Sequence, residues 1–277
     1  MNVSICTISF RNSLQSIEQL AQWTAAQGFA GIEMWGTHAR HLMANSQLNG
    51  QWLRSHGLIV PMLSDYLPFE KEWSTIYQAA KTLILLAERW ETNQIRVFAG
   101  NRGSGQVEKG ERKQLVTKLR EVCVMVSRNG MNVVVEIHPR TLCDTIPSTL
   151  QLLAEVNHPA LKINFDVLHT WESGADIDQA FIELYPFITH FHLKNVTDRS
   201  QLSVFHPERV FQPSDSRKGM TSLFTGCIDY HHFFTQHDFS DCHVSLEWFG
   251  HHPFDVLQAD NRKLLPYQKK KIYHSFS

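Results

Sequence analysis

Apolar runs of strand length recur along the chain, beginning near Val3, Gly31, Leu58, Gln94, Asn132, Leu161, Ile188 and His243. Between them the apolar positions fall three and four residues apart, as at Leu83, Leu86, Ala87 and Trp90, or at Leu115, Leu119, Val122 and Val126. A period near two that gives way to a period near 3.6, and does so repeatedly, is the pattern of parallel βα units. Eight such units predict an α/β fold, a single (β/α)8 TIM barrel, and the 277 residues are close to the roughly 250 that such a barrel needs. Gln27-Gly28 and Asn129-Gly130 read as helix ends that precede the strands Gly31 to Gly36 and Asn132 to Pro139. No Gly/Ser linker, repeat or shift in composition divides the chain, so residues 1–277 are expected to form one catalytic domain. The polar stretch from Asn195 to Met220 is too long for an ordinary βα connection and is predicted to be a functional loop over the site.

Charge and cysteine content narrow the function classes. With 26 basic and 27 acidic residues the net charge is -1, which supplies no field for a phosphate polymer or an anionic membrane, so neither nucleic acid nor membrane is expected as a partner. The start MNVSICTISFRNS has no basic segment followed by a long apolar one, and no run of about 18 apolar residues occurs elsewhere, so neither export nor membrane insertion is expected. Five cysteines without a CxxC pair fit neither a disulfide framework nor a zinc knuckle, and a reducing cytoplasm suits them best. Lys269, Lys270 and Lys271 read as a solvated helix end.

In such a barrel the chemistry sits at the C-terminal ends of the strands, which gives polar residues there a special weight. Strands five to eight read VVVEIHP, LKINFDVLH, ITHFHLK and VSLEWFG. Alternation along the fifth puts Val134, Glu136 and His138 on one face, with Val133, Val135 and Ile137 on the other. The inward, late positions are Glu136, Asp166, His192 and Glu247, three carboxylates and one imidazole on neighbouring strands. Three buried anions repel one another unless a cation joins them, and an oxygen-rich set with one nitrogen suits Mn²⁺ or Mg²⁺ better than it suits structural zinc. His190, two residues deeper than His192, reads as a core histidine. His138 and Lys194 lie two residues beyond a ligand on the same face and should project toward whatever the cation holds. Arg96, charged within an apolar strand, needs an anion, supplied either by an internal carboxylate or by a substrate. Trp35, Trp171, Phe205 and Trp248 fall near strand ends or in the loops after them, where they serve either as aromatic walls or as core packing.

The chain resembles the xylose-isomerase-like TIM barrels, which share the Glu-Asp-His-Glu pattern on strands five to eight. More narrowly, the segments CTISFR, GIEMWGTHA, SDYL, IRVFAG, EIHPRTLCDTIPSTL, LKINFDVLHTWESGAD, HFHLKN and SLEWFGH are similar to those of 3-dehydroshikimate dehydratases of petrobactin-type siderophore biosynthesis. Only the loop 195–220 and the tail beyond Asp255 match little. The resemblance implies one divalent ion, Mn²⁺ foremost with Mg²⁺ or Co²⁺ as substitutes, held by Glu136, Asp166, His192 and Glu247. It also implies a small-molecule substrate, 3-dehydroshikimate, lined by Arg96, Tyr66, His169, His138 and Lys194, with Phe205 as an aromatic wall. A homodimer is one assembly compatible with it. On this reading His138 is the base, with Lys194 as a competing base or an electrostatic clamp, while Tyr66 and His169 either touch substrate or merely support the groups that do. A metal-dependent sugar or keto-acid isomerase of the same superfamily is the main rival, yet it needs no carboxylate receptor, and Arg96 and Lys194 weigh against it. An abasic-site endonuclease would want a basic groove and more clustered histidines, and a binding scaffold would have no use for His138 and Lys194.

Overall fold

The computed structural model describes residues 1–206, 209, 212 and 217–268, so the lysine run at 269–271 lies outside the described residues. Eight parallel strands close into a barrel: β1 (Asn2–Cys6), β2 (Gly31–Trp35), β3 (Leu63–Ser64), β4 (Gln94–Val97), β5 (Asn132–Glu136), β6 (Leu161–Asp166), β7 (Ile188–Leu193) and β8 (His243–Leu246). Each strand pairs with its neighbours in sequence, and β8 closes on β1 through the partners Ser4 and Ser245. The eightfold alternation expected from the sequence is therefore present.

Around the barrel run α1 (Ile17–Ala26), α2 (Gly36–His41), α3 (Gly50–Ser55), α4 (Trp73–Trp90), α5 (Lys109–Ser127), α6 (Ile146–Val156), α7 (Val167–Glu172), α8 (Ile177–Leu184), α9 (Tyr230–Gln236) and α10 (Pro253–Gln268). Leu83, Leu86, Ala87 and Trp90 of α4 and Leu119, Val122 and Val126 of α5 are buried, which is the face that their spacing predicts. Helix α1 opens on a Ser16/Gln19 capping box, and the chain leaves it at Gly28 with φ +74. Gly130, with φ +70, serves the same purpose after α5.

The third strand departs from expectation. A run beginning near Leu58 is predicted, but the ladder is interrupted: Ile59 makes one bridge to Gly31, and regular pairing resumes only at Leu63. Pro61 has no N–H to give to a neighbouring strand, which accounts for the gap. At the bridge a side chain on residue 31 would bring its Cβ within 2.4 Å of the Ile59 carbonyl oxygen, so only glycine allows the two strands to approach this closely.

Alternation sorts the side chains into two populations. Val133, Val135, Ile163, Phe165 and Phe191 point outward into a continuous apolar core beneath the helices. The polar inward positions include Ser4, Glu33, Ser64, Arg96, Glu136, Asn164, Asp166, His190, His192 and Ser245, each of them buried. Between β7 and β8, Asn195–Val196 and Met220–Thr221 form an antiparallel ribbon, with a 3₁₀ turn at Arg199–Phe205. Buried Asn195 anchors the ribbon by donating to the carbonyls of Leu223 (2.7 Å) and Ile228 (3.0 Å), and the Tyr230 hydroxyl donates to the Lys194 carbonyl at 2.8 Å.

Candidate active site

The late inward residues of β5 to β8 converge. His192 Nδ1 lies 3.5 Å from Glu136 Oε1, 3.6 Å from Glu247 Oε1 and 3.9 Å from Asp166 Oδ2. Glu136 and Asp166 close their strands, whereas Glu247 sits one residue beyond β8, where its backbone N–H donates to the Leu193 carbonyl at 3.2 Å. That bond keeps Glu247 in line although the regular ladder has ended.

Beneath this set lies Glu33 of β2, fully buried, which sequence reading passed over. Its carboxylate faces His192 Nε2 at 3.0 Å and His190 Nε2 at 3.2 Å, and it accepts from the Ser64 hydroxyl. Burial alone would raise the Glu33 carboxyl, but the His192 and His190 imidazoles hold it well below the usual range. The consequence for His192 is directional. With Nε2 engaged by Glu33, Nδ1 is turned toward the three carboxylates, and that buried nitrogen has no hydrogen-bond partner among the described residues. A lone pair aimed at three carboxylate oxygens, with the opposite nitrogen fixed by a carboxylate, is the arrangement of a metal-ligating histidine and its supporting group. The four residues expected to hold a cation therefore fit one. Without it, burial would lower the His192 value, but Glu33, Glu247 and Glu136 outweigh burial and hold the imidazole well above the usual histidine range, so that cation binding would release a proton. His169 Nε2 also lies near Glu136 and Asp166 oxygens, making it a further nitrogen within reach of the same position.

His190, read as a core histidine, is one: it is buried, its Nε2 meets Ser245 Oγ at 2.9 Å, and its contact with Glu33 makes it part of the support beneath His192.

Lys194 stands just past β7 with Nζ 2.7 Å from both Asp166 Oδ2 and Glu247 Oε2. Burial would lower its value, but Asp166 and Glu247 push it above the usual lysine range. Held as an ammonium between two carboxylates, Lys194 has no free lone pair with which to accept a proton. His138 differs. Burial and the neighbouring His169 push its imidazole well below the usual range, so it is neutral. Its Nδ1 lies 2.7 Å from the Pro139 carbonyl oxygen and donates to it, which leaves Nε2 as the unprotonated nitrogen. The ring lies between Phe98 and His169, tilted against each, with both centroids 4.4 Å away. His169 is oriented in turn by Glu172, whose carboxylate meets Nδ1 at 2.7 Å.

Both alternatives left open for Arg96 bear on the structure. Its Nε lies 3.1 Å from Glu136 Oε2, so an internal carboxylate meets its charge, while Nη1 is buried without a hydrogen-bond partner. The guanidinium also stacks on Phe98 and Tyr66, 4.9 and 5.5 Å from the ring centroids. A narrow cavity above the ligands is lined by Tyr66, Arg96, Glu136, His138, His169, Lys194, Phe205 and Glu247, so every residue expected around a substrate is brought together there. A larger recess of about 510 Å³ opens beside it, sharing Tyr66 and Phe98.

The two alternatives for the aromatic residues divide between them. Of the four candidates only Phe205 lines the cavity; the other walls are Tyr66, Phe98 and Phe249. Trp35 is buried and packs edge-on to His38, Trp171 carries the Arg199 guanidinium, and the Trp248 indole donates to the His251 carbonyl at 2.7 Å. The residue after a strand turns inward or away according to the local turn, and sequence proximity to a strand end does not decide which. Sequence reasoning also missed Arg217 and His206, which reach the cavity from the 195–220 segment. Apolar periodicity carries no information in such a stretch. Glu33 did leave a signal, a lone carboxylate between Ile32 and Met34 in an otherwise apolar strand.

An eight-stranded parallel barrel whose strand ends gather three carboxylates and an oriented imidazole has the architecture of a barrel enzyme with a site able to hold a metal ion. The sequence pattern of the xylose isomerase-like TIM barrel family matches residues 21–268, and the chain belongs to that family. It is 41% identical over 272 residues to the 3-dehydroshikimate dehydratase of Bacillus anthracis, an alignment that covers 95% of this chain and 96% of the relative. The crystal structure of AsbF from the same organism, described as the probable 3-DHS dehydratase of petrobactin synthesis, superposes with a TM-score of 0.91 at 41% identity, covering 96% of this chain and 99% of that one. The IOLI protein, solved with a bound zinc atom, shares the fold at a TM-score of 0.76 and 15% identity, over 97% of this chain and 98% of that one. The resemblance noted in the sequence is thus borne out across nearly the whole chain.

Proposed function

We propose that this protein removes water from 3-dehydroshikimate to give 3,4-dihydroxybenzoate, a catechol acid for siderophore assembly in the cytoplasm, and that Mn²⁺ serves it best, with Mg²⁺ or Co²⁺ as partial substitutes. The observation that carries the reading is a neutral imidazole, His138, facing the cavity that Glu136 and Glu247 of the expected ligand set also line. The 41% identical dehydratase supports the substrate.

In this substrate the ring ketone is conjugated to a double bond, so loss of a proton from the vinylogous carbon places the released electron pair on the ketone oxygen. Glu136, Asp166, His192 and Glu247 would hold a divalent ion, which would supply positive charge to stabilise the enolate. His138 Nε2 accepts the proton, a contribution of roughly 10² to 10⁴ in rate for a well-placed general base. Its neutral state comes from burial, and its reactive nitrogen is selected by the Pro139 carbonyl at Nδ1. Lys194, fixed as an ammonium, adds positive charge beside the developing enolate and takes no proton. The imidazolium of His138 then returns its proton to the departing hydroxyl, which leaves as water, and the resulting dienone becomes aromatic as the remaining ring proton moves to the ketone oxygen. Tyr66 and Phe205 hold the flat ring, His169 supports the His138 face, and Arg96 Nη1 donates to a substrate oxygen while Nε stays on Glu136.

The test is turnover. Protein stripped with chelator and assayed with 3-dehydroshikimate should form no catechol absorbance, and should recover on adding Mn²⁺. Catechol formation at an undiminished rate after exhaustive chelation contradicts the metal role. Turnover of a ketose in place of 3-dehydroshikimate contradicts the substrate.

A further inference from the structure

The cavity holds three buried side-chain cations, and they are not equivalent. Arg96 is matched by Glu136, and Lys194 by Asp166 and Glu247. Arg217 is 4% exposed and lines the same cavity, yet no carboxylate pairs with it among the described residues. Its Nη1 and Nη2 donate to the main-chain carbonyls of Val204 and Arg209, which satisfy hydrogens but not charge. Its Nε is buried with no hydrogen-bond partner. The guanidinium lies 5.5 Å from the Phe249 ring centroid, and Arg11 approaches the same ring at 5.1 Å, so the nearest charge on that side is also positive. Burial, Arg11 and Arg209 together push the Arg217 value down to about 10, which still leaves it charged near neutral pH.

A guanidinium kept out of water without an anion is expensive, and such a group is retained where a ligand supplies the missing charge. With a divalent ion in place, the four carboxylates of Glu33, Glu136, Asp166 and Glu247 would be balanced against the ion's two charges and those of Arg96, Lys194 and Arg217. One positive charge remains in excess, the charge that a monocarboxylate neutralises.

We propose that Arg217, reaching in from the segment after β7, is the receptor for the substrate carboxylate and so sets the preference for an acid over a neutral ring. The proposal rests on the dehydratase reading and deepens it. The carboxylate lies at the Phe249 and Arg217 end of the cavity, away from Arg96, and the ring then extends between Phe205 and Tyr66 toward His138. A guanidinium suits a planar carboxylate because two parallel N–H groups match its two oxygens.

The test compares the affinities of 3,4-dihydroxybenzoate and catechol, two rings that differ only by the carboxylate, for the Mn²⁺-loaded protein by calorimetry. The wild type should bind the acid about 10- to 100-fold more tightly, the range of a hydrogen bond to a charged group. Arg217→Gln keeps a donor for the Val204 carbonyl, should bring the ratio close to one, and should leave catechol affinity within about threefold. Arg217→Lys should retain part of the ratio, since the charge survives and the planar fork does not. An unchanged ratio in Arg217→Gln overturns the assignment and moves the carboxylate elsewhere, Arg96 included. Equal loss of acid and catechol also overturns it, because Arg217 would then act only by shaping the segment. If wild-type protein neither turns over 3-dehydroshikimate nor prefers the acid, the dehydratase reading itself fails. Turnover with a ratio insensitive to Arg217 removes this proposal alone.

Discussion

The inside of the barrel and the layer between barrel and helices are built from the same strands, yet they obey different rules. Val133, Val135, Ile163 and Phe165 face outward into an apolar layer where shape and volume decide the fit. One residue away, Arg96, Glu136, Asn164, Asp166, His190 and His192 face inward, and there charge and hydrogen bonding decide. Burial is equally complete in both regions, so burial alone does not distinguish structure from chemistry. The expected difference is tolerance: substitutions in the outer layer should lower stability and leave activity intact, whereas those in the interior column should lower activity first.

The largest effect should come from the interior. Glu247→Ala removes one expected ligand and one of two partners of Lys194, and should lower activity by about 10³ or more while Asp166 continues to hold the ammonium; Mn²⁺ titration and turnover measure both effects. Glu136→Ala should also cost about 3 to 5 kcal/mol in stability, because Arg96 is left as a buried charge without its partner, and thermal melts should rank it below Glu247→Ala. In the outer layer, Leu119→Ala on α5 should cost about 2 to 5 kcal/mol by chemical denaturation, with activity per folded molecule unchanged. A matching loss of activity there would erase the distinction.

Glu33→Gln sharpens the comparison, since Glu33 is interior but holds no expected metal contact. It should weaken Mn²⁺ binding about 10- to 100-fold by freeing His192 to turn, with little change in melting temperature. The smallest effect belongs to Asp260 on α10, which accepts from the Leu223 N–H at 3.0 Å and whose carboxyl burial raises to about 6. Because the folded value lies above the unfolded one, the folded state binds the extra proton, and stability falls as pH rises from about 4 to about 6, then levels off. Asp260→Asn keeps an acceptor for Leu223, should lack that slope, and should be more stable than the wild type at pH 7 by about 1 to 2 kcal/mol.

What the sequence disclosed follows the same division. Periodicity reports which face of a strand is apolar, so the eight βα units and the outer layer were legible, and an ionisable residue on an inward face at a strand end stood out as Glu136, Asp166, His192 and Glu247. Glu33 was harder, because its meaning depends on His192 of β7, a strand not paired with β2, whose side chain meets it across the barrel interior. The short third strand turned on a missing N–H at Pro61, which hydrophobicity does not register. Arg217 comes from a segment without periodicity, and only the folded chain shows that no carboxylate among the described residues pairs with it.

The most direct measurement follows two events in one sample: exchange of the vinylogous ring proton of 3-dehydroshikimate with deuterated solvent, and appearance of the catechol absorbance, in wild type and in His138→Gln, both loaded with Mn²⁺. His138 touches none of the expected ligands in a way that would cost the metal, so the variant should retain the ion, and exchange and product formation should both fall by about 10² to 10⁴. If both rates remain near wild type with the metal retained, His138 is not the base and the account of this site is contradicted.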